Sequence, residues 1–131
     1  MVRKSLIYSL IFSVGLINGV FLEKCVYEPR TIDNVELTPE SLERVYQTYD
    51  VRYGDLDGIV GLCNWFTKDI TLEKELSPDE ASYIYIHESL HAEYPKISER
   101  SVRLLTEEYS KDPQIAKKSR QIINRLSEGP S

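Results

Sequence analysis

With 131 residues, 41% of them hydrophobic, the chain has room for one ordinary domain and a flanking segment, and too little for two independent cores. Its 16 basic residues against 21 acidic ones give a net charge of −5, which speaks against nucleic acid as a partner. Cys25 and Cys63 are far apart and in no Cys-x-x-Cys spacing, so neither a thiolate zinc site nor a dithiol redox site is expected. They leave one disulfide in an oxidising compartment, or two free buried thiols.

The chain opens on a targeting pattern. Ser5 to Leu22 carries no charge, follows Arg3 and Lys4, and ends at Glu23 and Lys24. Its length stands at the boundary between the apolar region of a signal peptide and a short transmembrane helix. Ser13-Val14-Gly15 and Ile17-Asn18-Gly19 are indifferent cleavage sites, which favours an uncleaved anchor slightly, and Glu23-Lys24 before Cys25 disfavours lipidation. Residues 1–24 are therefore read as a signal peptide or membrane anchor and residues 25–131 as a single domain. Arg3 and Lys4 held inside would turn that domain away from the cytoplasm, membrane-anchored or secreted. The alternative is a buried core helix in a cytoplasmic protein.

A short extended stretch around Val26 to Glu28 leads to Thr38-Pro39-Glu40, a helix start with Thr38 as cap. Leu42, Val45, Tyr46 and Tyr49 give that helix an apolar stripe. Val51 to Tyr53 reads as a strand, Gly54 to Gly58 as a turn and Ile59 to Phe66 as a second strand. Ile70 to Glu73 alternates in the manner of a half-buried or edge strand. Ser77-Pro78-Asp79-Glu80 combines a serine cap, a first-turn proline and a capping-box glutamate, so a helix should run from Pro78 to about Glu93, where Pro95 stops it. Ser98-Glu99 starts the next helix, with a stripe of Val102, Leu105 and Tyr109, and Pro113 begins the last. That last helix carries Lys117, Lys118, Arg120 and Arg125 without an acid before Ser127; a solvated face is the plain reading, contact with anionic lipid or a partner the other. The expected fold class is α+β, a small, mostly antiparallel sheet packed on the Pro78 helix and the helices after it.

The chain's 2 histidines lie four residues apart in His87-Glu88-Ser89-Leu90-His91. On a helix this spacing puts both imidazoles on one face, as a zinc ion requires, and leaves Glu88 beside the metal but not aimed at it. Zinc lowers the pKa of its water to roughly 7, and a carboxylate in reach can take the proton as the water attacks a carbonyl. A catalytic zinc wants a third protein ligand, and no third histidine exists. Glu93 points away, so the candidates are Glu99, Glu107, Glu108 and Asp112. Glu99 flanks the buried face of its helix and is preferred, Glu108 flanks the other side and stands second, and Glu107 points opposite. Against ligation stands the ordinary use of Glu99 as a helix-start acid.

His87-Glu88-Ser89-Leu90-His91-Ala92, then Pro95, Ser98-Glu99 and Val102, resembles the gluzincins among zincin metallopeptidases, above all the very small ones reduced to a sheet and two helices. The likeness spans roughly Val51 to Tyr109. It implies a zincin-like fold, a zinc ion on His87, His91 and Glu99, Glu88 as general base, and hydrolysis of a peptide or protein substrate. It also implies an edge strand that binds the substrate in extended form, here Ile70 to Glu73 or its hairpin partner. No downstream histidine or tyrosine motif supplies transition-state stabilisation, a role open to Tyr94 or Tyr53. The competing expectations are a membrane-anchored, non-catalytic zinc-binding interaction protein and a metal-free interaction module.

Overall fold

The computed structural model describes residues 35–129. The apolar segment Ser5 to Leu22, Cys25 and the stretch around Val26 lie outside the described residues. The elements in chain order are α1 (Pro39–Thr48), β1 (Asp50–Gly54), β2 (Gly61–Asn64), β3 (Asp69–Glu73), α2 (Pro78–Glu93), α3 (Glu99–Tyr109) and α4 (Pro113–Glu128). Among the described residues no helix is long and apolar enough to cross a membrane.

The helix starts are written in short polar side chains. Thr38 and Ser77 each accept from the backbone N–H three residues on, and the side chains of Ser41 and Glu80 reach back to complete capping boxes. Ser98 accepts from Ser101 N–H, and Asp112 from Gln114 and Ile115 N–H. α2 stops at Tyr94, whose backbone has left the helical region (φ −131, ψ 75) while its N–H still bonds to Leu90 O; the ring of Pro95 disfavours helix at the residue before it.

The three strands form a mixed sheet in the order β1-β3-β2, with β1 parallel and β2 antiparallel to β3. This corrects two expectations. The sheet is not mostly antiparallel, and Ile70 to Glu73 is its central strand. The alternation that read as an edge is real, since Ile70 and Leu72 are buried between half-buried neighbours. Alternation reports only that one face is covered; lateral neighbours are held by backbone groups common to all residues.

β2 is the outer strand on one side, with Gly61 opposite Leu72 and Cys63 opposite Ile70. Glu73 N–H donates to Val60 O at 2.9 Å, which makes that pair a hydrogen-bonded one. By the antiparallel alternation the N–H and C=O groups of Gly61 and Cys63 then point away from β3, to the side of β2 where no further strand lies among the described residues. The β2–β3 turn is braced by Asn64, whose Oδ1 accepts from Phe66 and Thr67 N–H at 3.0 and 3.1 Å.

α2 packs against α1, α3, α4, β2 and β3. Enclosed on so many sides, it buries Ala81, Ser82 and every residue from Ile84 to His91, the pattern of a core helix rather than an amphipathic one. Leu90 is fully buried, and trimming it to alanine would cost about 2–5 kcal/mol. Two of the polar contacts in this interior are direct: Tyr85 donates to Leu42 O at 2.8 Å, and Ser82 and Ser119 bond across α2 and α4 at 2.9 Å.

Two features lie on the flanks. The entering chain is tied by tyrosines: Tyr94 Oη donates to Glu36 O at 2.9 Å and accepts from Glu36 N–H, and Tyr109 Oη accepts from Leu37 N–H at 3.0 Å. The cations of α4 meet acids, Lys118 and Arg125 on Glu43 at 2.9 and 2.6 Å, and Arg120 on Asp79. The helix that reads as a bare basic patch is thus largely paired within the fold.

Candidate metal centre

His87 and His91 stand one turn apart on α2, their ring centroids separated by 5.1 Å at an interplanar angle of 60°. α3 delivers Glu99 to both. His91 Nε2 is 2.8 Å from Glu99 Oε1, and His87 Nε2 is 3.2 Å from Glu99 Oε2. One ligand atom from each residue can be chosen so that all three lie within 4.8 Å of one another, a group able to hold a metal ion. Tetrahedral bonds of about 2.0–2.1 Å put zinc ligand atoms roughly 3.3 Å apart. The Glu99 oxygens stand 2.8 and 3.2 Å from the two Nε2 atoms, on the scale of that spacing, with the three ligand atoms together inside 4.8 Å.

The placement of Glu99 follows from local sequence. Pro95 ends α2, Ser98 caps α3, and the first residue of α3 therefore lies just beyond the last turn of the histidine helix. Glu107 and Glu108 are exposed on α3, and Glu107 accepts from Tyr83 Oη at 2.9 Å. Asp112 is used as the cap of α4, and Glu93 pairs with Arg44 at 2.7 Å. Of the acids weighed from the sequence, Glu99 is the one brought to the histidines.

Burial alone would raise the Glu99 carboxyl, but His87 and His91 outweigh it and hold the group down at about 2. Burial pushes His91 down, and the hydrogen bond to Glu99 together with the charges of Glu99 and Glu88 outweighs that, leaving the imidazole above its usual value. Glu88 is driven above the carboxylate range by burial, against the opposing pull of the histidines. Its side chain is wholly buried, and neither oxygen has a hydrogen-bond partner among the described residues. Such a group costs about 1–3 kcal/mol unless something answers it, so an orphaned carboxylate beside a His-His-Glu cluster points to a missing polar occupant.

Two contributors escaped the sequence reading. Trp65, just beyond β2, donates from Nε1 to His91 O at 2.7 Å and sets its ring edgewise to the His91 imidazole, 6.4 Å between centroids. It satisfies a carbonyl in the last turn of α2, where helix acceptors lack intrahelical partners. Gly61 lies against Glu88, and its only signal in the sequence is a glycine where a strand begins. Of the tyrosines proposed for transition-state stabilisation, Tyr94 has its hydroxyl committed to Glu36, and Tyr53 is half-buried on β1. Cys63 is buried in β2, and burial pushes its thiol up; the Cys25 half of the expected disulfide lies outside the described residues.

The chain matches no family model, and no curated protein or solved structure is similar to it.

Proposed function

We propose that the protein is a zinc-dependent metallopeptidase of the gluzincin type, with His87, His91 and Glu99 as metal ligands and Glu88 as general base. The observation that carries the reading is the convergence of Glu99 from α3 on the Nε2 atoms of both α2 histidines, beside a buried carboxylate with no partner. Two imidazoles and one carboxylate are a donor set suited to catalytic zinc. When bound there, zinc supplies the Lewis acidity that makes water a nucleophile at neutral pH.

The chain's own groups would share the remaining work. Glu88, raised by burial, takes a proton from the attacking water and passes it to the leaving amine. Glu99, His87 and His91 would hold the metal. The side of β2 that pairs with no strand among the described residues, toward which the Gly61 and Cys63 backbone groups point, would take the substrate as an added extended strand. Export or membrane attachment through residues 1–24 would place this activity outside the cytoplasm.

A second reading has an observation of its own. Glu88 and His87 are 0% and 1% exposed, the closure that a structural zinc site shows, so the chain can equally be a non-catalytic zinc-binding interaction protein. One experiment separates the two: metal content and hydrolysis of a peptide library by the wild type and Glu88→Gln. The peptidase reading expects one zinc per chain in both, with cleavage falling about 100-fold or more in the variant. Equal cleavage by both proteins sinks the role of Glu88, and a zinc-loaded wild type that cleaves nothing leaves the binding protein.

A further inference from the structure

Gly61 begins β2 on the outer edge of the sheet and is buried against α2. A methyl group on its Cα would stand 2.8 Å from Glu88 Oε2, 3.2 Å from Glu88 Cγ and 2.6 Å from Ile84 Cγ2. Non-bonded carbons settle at about 3.5–4.0 Å, so any side chain here must displace both Ile84 and Glu88. Gly61 is not among the glycines with positive φ. Glycine is therefore required for space rather than for backbone freedom. Ile84 is branched at Cβ and stiff in a helix, whereas the Glu88 carboxylate is the mobile end of its side chain and would be the group to yield further.

The same residue turns its N–H and C=O to the side of the sheet where no further strand lies among the described residues. A peptide added to that edge would be held in register by the residue against which the Glu88 carboxylate rests. We infer that Gly61 is a positioning residue for Glu88, setting the separation between the base and a peptide strand bound to β2. The inference rests on the peptidase reading and deepens it. An alanine keeps both outward peptide groups and presses on Ile84 and the Glu88 side chain behind them, so binding and turnover should come apart.

The test uses the zinc-loaded full chain carrying Gly61→Ala. For a displacement on the ångström scale, kcat should fall about 100-fold while KM and zinc affinity, measured against a competing chelator, stay within roughly threefold. Thermal unfolding supplies a readout apart from activity. Gly61→Ala should lower the melting temperature less in a Glu88→Ala background than in the native one, because the second substitution removes Oε2 and Cγ. Should Gly61→Ala alone fail to fold, Ile84→Ala in the same chain removes the other close contact and isolates the one with Glu88. An unchanged kcat in Gly61→Ala, or equal melting losses in the two backgrounds, overturns the inference alone. A wild type that holds zinc and cleaves nothing overturns the peptidase reading and the inference with it.

Discussion

Glu43 and Glu99 each sit between two nitrogen bases, and both carboxyls are held at about 2. Around Glu43, on the α1–α4 flank, the partners are Lys118 and Arg125, charged at any ordinary pH and themselves half in water. Around Glu99 they are two buried imidazoles, charged only when protonated, with the unpartnered Glu88 alongside. The first arrangement is complete as it stands. The second sets a carboxylate against two imidazoles that need not be charged, and a divalent cation would complete it.

The difference can be broken or sharpened by experiment, beginning with the largest effect. Removing a ligand by His91→Ala should weaken zinc binding more than 100-fold, since outer-sphere partners alone are worth 10–100-fold; Glu108→Ala, on the exposed side of α3, should leave it unchanged in the same chelator competition. A loss in Glu108→Ala equal to that in His91→Ala would undo the assignment of Glu99. Zinc at 100 times its dissociation constant should stabilise the fold by about 2.7 kcal/mol, visible as a raised melting temperature that a chelator reverses. Glu43→Gln should neither add to nor subtract from that increment.

Trp65→Phe leaves His91 O without its donor and should cost about 1–3 kcal/mol, with zinc affinity lowered in parallel. Stability lost with affinity intact would show the indole to be packing alone. Glu43→Gln should cost only about 1 kcal/mol at neutral pH, the scale of partly exposed ion pairs. Because hydrogen bonds from Arg125 and Lys118 depress the Glu43 carboxyl from 4.5 to about 2, its contribution is full above 4.5 and disappears as pH falls toward 2. The melting difference between wild type and variant should close over that range.

The helices were legible because their signals are local. Thr38, Ser77 and Ser98 cap where short polar side chains followed by helix formers said they would, and Pro95 stops α2. The meeting of Glu99 with the histidines could be argued because the loop between α2 and α3 is too short to leave Glu99 much freedom. What the sequence withheld is lateral and long-range. The parallel pairing of β1 with β3 joins strands separated by β2, and no residue pattern encodes a neighbour met through backbone groups. Trp65 and Gly61 reach α2 across 26 and 27 positions respectively, to His91 and Glu88, with no periodicity linking them to the histidine pair.

The bond between Trp65 and His91 has an optical consequence. The chain has 1 tryptophan, and its indole N–H is committed to the backbone of a candidate ligand while its ring meets that ligand's imidazole edge-on. Indole emission responds to hydrogen bonding and to nearby charge, so a cation settling on His91 would register in the fluorescence of the unlabelled protein. Excited beyond the absorption of the 9 tyrosines, the molecule carries a built-in indicator for its candidate metal centre.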